Sequence, residues 1–392
     1  MEMTMKKVLL ASSALLGASA FAAGSAYAEK PVMTFSGSLA YEMIFADGDQ
    51  ADAGVGHSIS ANDQMSELVW DAKGSTDAGL NYRANVQWRY TNGGSGSFDE
   101  SWLQFSGGWG SIVIGGDDPV SDTVAGTAGH TFQAGTWGTD GNNALRNVNF
   151  LGLATGTHYY QSSAGMTGDA NKISYTTPNF AGFQAGVSYT PQGAAFQQTQ
   201  QVNNNGNDQV LDIAAGWGGE FGGVGLKIDG SYQMGEDNAG GTVAGFTQNA
   251  TTGAITPGGA ITVDQEDIRS YMVGGSITFA GFGLGVGYFD NGDSGVAKGS
   301  NGDAGSGFNV GGSYSFGPGS VSLMYQNSTD DLNGDNLEDE STIYHAGVTY
   351  TIADGLNAYG SYYNMSIDNE GGNTAANQND AQVVIIGTRV TF

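Results

Sequence analysis

From residue 80 to 90 the chain alternates without exception. Leu80, Tyr82, Ala84, Val86, Trp88 and Tyr90 are apolar, and Asn81, Arg83, Asn85, Gln87 and Arg89 are polar. A period of two puts successive side chains on opposite faces of an extended strand. The period returns over 33–45, where Met33, Phe35, Leu39, Tyr41, Met43 and Phe45 oppose Thr34, Ser36, Ser38 and Glu42, with Ile44 alone on the wrong face. It holds again over 224–234, with Lys227 and Asp229 on the polar side, and over 344–352, with His345 on that side. One such strand fits any half-buried antiparallel sheet. These strands add large aromatics toward the ends of the apolar face: Phe45, Tyr90, Trp217, Tyr232, Tyr288 and Tyr350. Such a girdle suits a lipid interface, while Arg, Lys, Asp and Gln among Gly and Ser on the other face suit a watered lumen. No later apolar run approaches the roughly 20 residues of a helical span.

Punctuation between the strands supplies the topology. Short Gly-centred connections at 74–79, 107–111, 178–182, 218–223, 280–283, 317–319 and 353–355 alternate with longer polar stretches at 46–63, 92–99, 117–171, 192–209, 235–267, 291–305, 327–340 and 367–380. Hairpins with tight turns on one side and long loops on the other are the layout of an outer-membrane barrel. The pattern predicts an all-β, transmembrane, antiparallel up-and-down β-barrel of about 16 strands, with short periplasmic turns and long extracellular loops. Phe392, Val390, Thr388, Ile386 and Val384 alternate with Thr391, Arg389 and Gly387, so the final segment reads as a strand that pairs with the first and leaves no edge.

Residues 1–28 read as a cleaved signal peptide: Lys6 and Lys7, then an apolar stretch diluted by Ser and Gly, then Ala26-Tyr27-Ala28. The remainder, 29–392, is expected to form one barrel domain. Composition narrows the function. The chain has no Cys, which removes disulfides, Cys-ligated metals and thiol nucleophiles. Its 12 Lys+Arg against 39 Asp+Glu leave no cationic face for a nucleic acid. At 39% hydrophobic and 11% aromatic it is too apolar for a disordered polyanion.

Several short stretches, in order, resemble the general bacterial porins of the Gram-negative outer membrane. They are Phe35-Ser36-Gly37-Ser38-Leu39, the hairpin Gly74-Ser75-Thr76-Asp77-Ala78-Gly79-Leu80, the turn Ser106-Gly107-Gly108-Trp109-Gly110-Ser111, the hairpin Tyr175-Thr176-Thr177-Pro178-Asn179-Phe180-Ala181-Gly182-Phe183, and the terminal Phe392. The resemblance implies a sixteen-stranded barrel, a homotrimer, and a terminal aromatic strand read by the outer-membrane assembly machinery, with Phe392 as that signal. It also implies a third loop, about 117–171, folded inward to narrow the pore. Loop carboxylates would there face wall arginines. The loop offers Asp117, Asp118, Asp122 and Asp140, with Arg146 further in, and the wall offers Arg83 and Arg89, with Lys73 and Lys172 as further candidates. This is a thinner basic cluster than the family pattern.

The function expected is passive diffusion of small hydrophilic solutes and ions, with weak cation preference. Removing residues 1–28 leaves 38 acids against 10 bases. No cofactor is required, although Asp331, Asp335 and Glu338 in an acidic loop hint at Ca²⁺ out of EF-hand register. Such loops would otherwise meet lipopolysaccharide and membrane lipid through shared divalent ions. His57, His130, His158 and His345 are scattered without ligand spacing. The glycine clusters precede strands, so they are not phosphate loops, and no Ser/His/Asp constellation supports a hydrolase. A substrate-specific channel shares the fold. A secreted Gly/Asn/Asp-rich β-solenoid adhesin would need a fixed short repeat, which is missing.

Overall fold

The computed structural model describes residues 30–48, 56–62, 65–90, 96–136, 167–193, 206–238, 241–243, 246–248, 255–257, 261–331, 338–369 and 378–392. The predicted signal segment therefore lies outside the described residues, as do Asp140, Arg146, His158 and Asp335.

The wall is built from β1 (Val32–Gly48), β2 (Gly56–Ala61), β3 (Glu67–Ser75), β4 (Asn81–Arg89), β5 (Ser97–Gly107), β6 (Gly110–Gly116), β7 (Asn171–Thr176), β8 (Phe183–Gln192), β9 (Asn207–Phe221) and β10 (Val224–Asp237). Four short segments follow: β11 (Gly241–Val243), β12 (Phe246–Gln248), β13 (Ile255–Pro257) and β14 (Ile261–Val263). They pair with one another outside the main sheet. The wall resumes with β15 (Ile268–Phe279), β16 (Phe282–Asp290), β17 (Asp303–Phe316), β18 (Gly319–Asp331), β19 (Asp339–Ala353), β20 (Leu356–Asn369) and β21 (Gln378–Thr391). β1 pairs with β2 through Tyr41↔Ala61 and with β3 through Ser38↔Glu67, so those two are halves of one interrupted strand. Counted so, the barrel has sixteen antiparallel strands. Register Leu39↔Val390 between β1 and β21 closes it. No helix among the described residues is long and apolar enough to cross a membrane; the strands cross instead.

Tight turns fit the twist of the flanking strands. Ala280 and Gly281 both take positive φ, at 49° and 86°, the primed geometry that two-residue hairpins need. The alternation reads out as predicted on the outside: Ile228 is 63% exposed and Leu323 70%, as befits side chains whose solvent is lipid. Inside, one sector departs from the polar lumen. Ile44, Ile343, Tyr363, Met365, Val383 and Ile385 form a buried apolar cluster on the inner faces of β1, β19, β20 and β21. Ile44, out of place in the sequence pattern, belongs to it.

At the seam, Gly37 N–H donates to the Phe392 carbonyl and Phe392 N–H to the Gly37 carbonyl, each at 2.9 Å. Phe35 lies between two rings, 5.5 Å from Trp70 and 6.2 Å from Phe392. Aromatic pairs contribute about 0.5–1.5 kcal/mol beyond their buried area. Phe392→Ala is therefore expected to lower the yield of folded barrel, read as the fraction that keeps its unheated electrophoretic mobility. An undiminished yield would show that the backbone seam suffices.

Candidate functional site

The third long connection joins β6 to β7, and its described first part, 117–136, lies flat along the inner wall. An extended chain inside a barrel cannot join the strand ladder, so its N–H groups need other acceptors. Small polar residues at inward positions supply them. A short helix α1 (Val120–Thr123) starts with Val120 N–H on Ser188 Oγ at 3.1 Å. The Ser121 N–H and hydroxyl both donate to Asp212 Oδ2, at 3.2 and 2.6 Å. Thr127 donates through its N–H to Asp229 Oδ1 at 3.1 Å and through its hydroxyl to Oδ2.

Further along, His130 N–H reaches Asn309 Oδ1 (2.9 Å), Ala134 N–H reaches Ser322 Oγ (2.8 Å), Gly135 N–H reaches Thr349 Oγ1 (2.8 Å) and Thr136 N–H reaches Ser361 Oγ (2.8 Å). The Thr136 hydroxyl then donates to Glu42 Oε1 at 2.5 Å, where Asn62 and Tyr359 also donate. The segment touches the wall strand by strand, from β8 round to β20 and on to β1. It is a liner rather than a plug. At three crossings the backbones approach so closely that only glycine fits: a Cβ on Gly274 would overlap the Thr127 carbonyl, one on Gly285 the Ala128 carbonyl and one on Gly347 the Ala134 carbonyl.

The wall left bare, β3 to β5, carries Lys73, Arg83 and Arg89. Asp71 closes two of them: Arg83 Nε lies 2.6 Å from Oδ1 and Lys73 Nζ 2.8 Å from Oδ2. Arg83 also sits over the Trp102 ring at 4.9 Å. Arg89 pairs with Asp99 at 2.5 Å and approaches Glu67 at 3.9 Å. Beside them, the carboxylates of Glu100 on β5 and of Asp118 and Asp169 at the two ends of the loop come within 4.8 Å of one another. That is close enough to share one divalent ion.

Glu100 accepts from Gln87 Nε2 at 2.6 Å and Trp102 Nε1 at 2.9 Å. In the loop, burial and then the Asp99 and Asp118 charges push Asp169 up to about 7. Burial and the adjacent Asp118 push Asp117 up to about 6. Burial also pushes His130 down to about 4, so the liner brings no imidazolium to the pore. A polar-walled tube with a loop seated along its inner wall and charged groups of both signs beside the loop's ends has the layout of an aqueous channel.

A family model described as Gram-negative porin matches residues 11–371. The chain belongs to that family. No curated protein matches it in sequence. Among solved structures, the porin's fold is similar to OmpT, an outer membrane protein of Vibrio cholerae, in its trimer form, at 17% identity and a TM-score of 0.61 over 93% of this chain and 100% of that one. It is similar to an anion-selective porin from Comamonas acidovorans at 16% identity and 0.60, over 93% and 100%. A variant of the Rh. blastica porin gives 19% identity and 0.52, over 92% and 100%. The porin is thus a multi-pass β-barrel channel of the outer membrane.

Of the residues singled out in the sequence, Asp118 belongs to the acidic group, Asp117 and Arg89 are close enough to act on its charges, and Arg83 lies against Asp71 and Trp102. Asp122 sits exposed in α1, further along the liner. Lys172 is not a pore-facing cation. It is 4% exposed, and its ammonium donates to backbone carbonyls of the loop. Asp331 is buried at the end of β18 and Glu338 exposed, while Asp335, which would complete that set, is not described. Sequence reasoning missed Glu100 and Asp169 in the acidic group, and Glu42, Asp212 and Asp229 as anchors. The available signal was a carboxylate at an inward strand position among small residues, which costs too much to keep unless something pairs with it.

Proposed function

We propose that this porin conducts small hydrophilic solutes and ions by passive diffusion, as a channel rather than an enzyme, and that it prefers cations weakly. A charged solute crosses hydrocarbon only at high cost, and a polar lumen removes that barrier. The observation that carries the sign is the charge balance at the narrowing. Lys73, Arg83 and Arg89 each have a carboxylate partner, whereas Glu100, Asp117, Asp118 and Asp169 have no such base of their own among the described ion pairs. The anion preference of the Comamonas protein does not carry over, because at 16% identity the likeness is one of fold. A homotrimer is the assembly proposed, following the trimer form of OmpT. Outer-membrane lipid, lipopolysaccharide and the assembly machinery are its proposed partners.

Planar-bilayer recording of the purified protein tests this reading. Under a KCl gradient the reversal potential should take the sign of cation preference. It should shrink at high salt, since exposed charges are screened beyond about 8 Å at physiological ionic strength. Anion preference at low salt would refute the charge reading, and saturable block by one solute would favour a substrate-specific channel.

A further inference from the structure

Lys172 lies on β7, paired with Gly115 of β6, and its side chain is buried. A lysine ammonium carries three protons. Three backbone carbonyls accept them: that of Asp117, that of Gly168 at 2.5 Å and that of Ala170 at 2.8 Å. Asp117 is the first residue after β6, and Gly168 and Ala170 are among the last before β7. One ammonium therefore joins both ends of the constriction loop, across 55 residues of chain.

The carbonyls occupy the protons that a carboxylate would otherwise take. No described carboxylate forms an ion pair with Lys172, although Asp117, Asp118 and Asp169 are close enough to feel its charge. A buried ammonium without partners would be costly, and here the carbonyls and the surrounding negative field hold it. Asp118 and Asp169, each next in the chain to a carbonyl that accepts from Lys172, are the acids that meet Glu100.

We propose that Lys172 is the positioning residue of the constriction, a clasp on the loop neck that aims Asp117, Asp118 and Asp169 at the pore without neutralising them. This rests on the cation-preferring reading of the same site. The clasp and a plain electrostatic role predict opposite signs. If Lys172 were only a nearby positive charge, Lys172→Met would raise cation preference and leave the current quiet. If it is a clasp, the neck opens and the acids disperse.

The test is single-channel recording of Lys172→Met and Lys172→Arg beside the unaltered porin, with heat-modifiable mobility as the folding control. For Lys172→Met we expect at least a twofold fall in the cation-to-anion permeability ratio and a severalfold rise in open-channel current variance. Lys172→Arg keeps the charge, but its flat fork cannot converge on three carbonyls as one ammonium does, so its variance should rise as well. A quiet Lys172→Met channel with raised cation preference overturns the proposal, as does a Lys172→Arg channel with unchanged variance. If Lys172→Met does not fold, Lys172→Arg decides; if neither folds, the residue serves the barrel itself and the proposal is overturned. Anion preference in the unaltered protein would sink the charge reading, while the variance would still report on the clasp.

Discussion

Gly274→Val should produce a barrel that folds but conducts poorly, with mean single-channel conductance down at least twofold and frequent partial closures. Gly274 is on the inner wall where the liner crosses β15, and a side chain there meets the Thr127 carbonyl, a backbone atom with no rotamer to escape into. The strand ladder on both sides of Gly274, to β10 and to β16, is untouched by the substitution. The strain therefore falls on the loop. Overpacking of this kind costs about 1–3 kcal/mol. Lifting Thr127 also strains its two hydrogen bonds to Asp229, and bonds to a charged group are worth about 1.5–3 kcal/mol. Those energies are comparable with what holds that stretch down, so it should leave the wall and enter the lumen. Gly360→Val is the control, since a Cβ there finds its nearest neighbours at an ordinary 3.6 Å. Unaltered conductance in folded Gly274→Val would show that the liner does not set the bore.

The second large effect is on selectivity. Neutralising the acidic group with Glu100→Gln, Asp118→Asn and Asp169→Asn together should reduce the cation-to-anion permeability ratio severalfold, to near one. Each unit charge acts on a monovalent ion ~8 Å away by about 0.5 kcal/mol even at the dielectric of water. At pH 8, where Asp169 is mostly charged, their contributions add because they sit together. The bases of β3 and β4 are held by Asp71, Asp99 and Glu67, so among the described residues of that wall no unpaired cation masks the loss.

Acid should act in the same direction. With Asp169 raised to about 7 and Asp117 to about 6, both carboxyls are mostly charged at pH 8 and mostly protonated at pH 5. Cation preference should therefore fall as pH drops through that window. Asp169→Asn should remove the upper part of the fall. A reversal potential that is flat from pH 8 to pH 5 would place these carboxyls outside the conduction path.

The strands, the alternate turns and loops, and the closure of the barrel were legible because their signals are local. A period of two over 80–90 needs no knowledge of any other segment, and a Gly-centred turn such as Ala280-Gly281 announces itself in two residues. The same punctuation located the long connection at 117–171, and the family resemblance implied that it folds inward. What the sequence could not decide is what that loop leans on. Ser121 meets Asp212 across 91 residues and Thr136 meets Ser361 across 225, and no periodicity encodes pairs so far apart.

For the same reason Lys172 read as a wall cation, although its protons go to the loop's own backbone. Ile44, alone out of place in the sequence pattern, is gathered by the sheet with Val383, Ile385 and Tyr363 into one buried cluster. By itself the sequence determined which face of each strand meets lipid, because the pleat alone fixes that. Only the tertiary structure decided which inward groups face water and which face the loop. That choice depends on where a long connection comes to rest after the wall has closed around it.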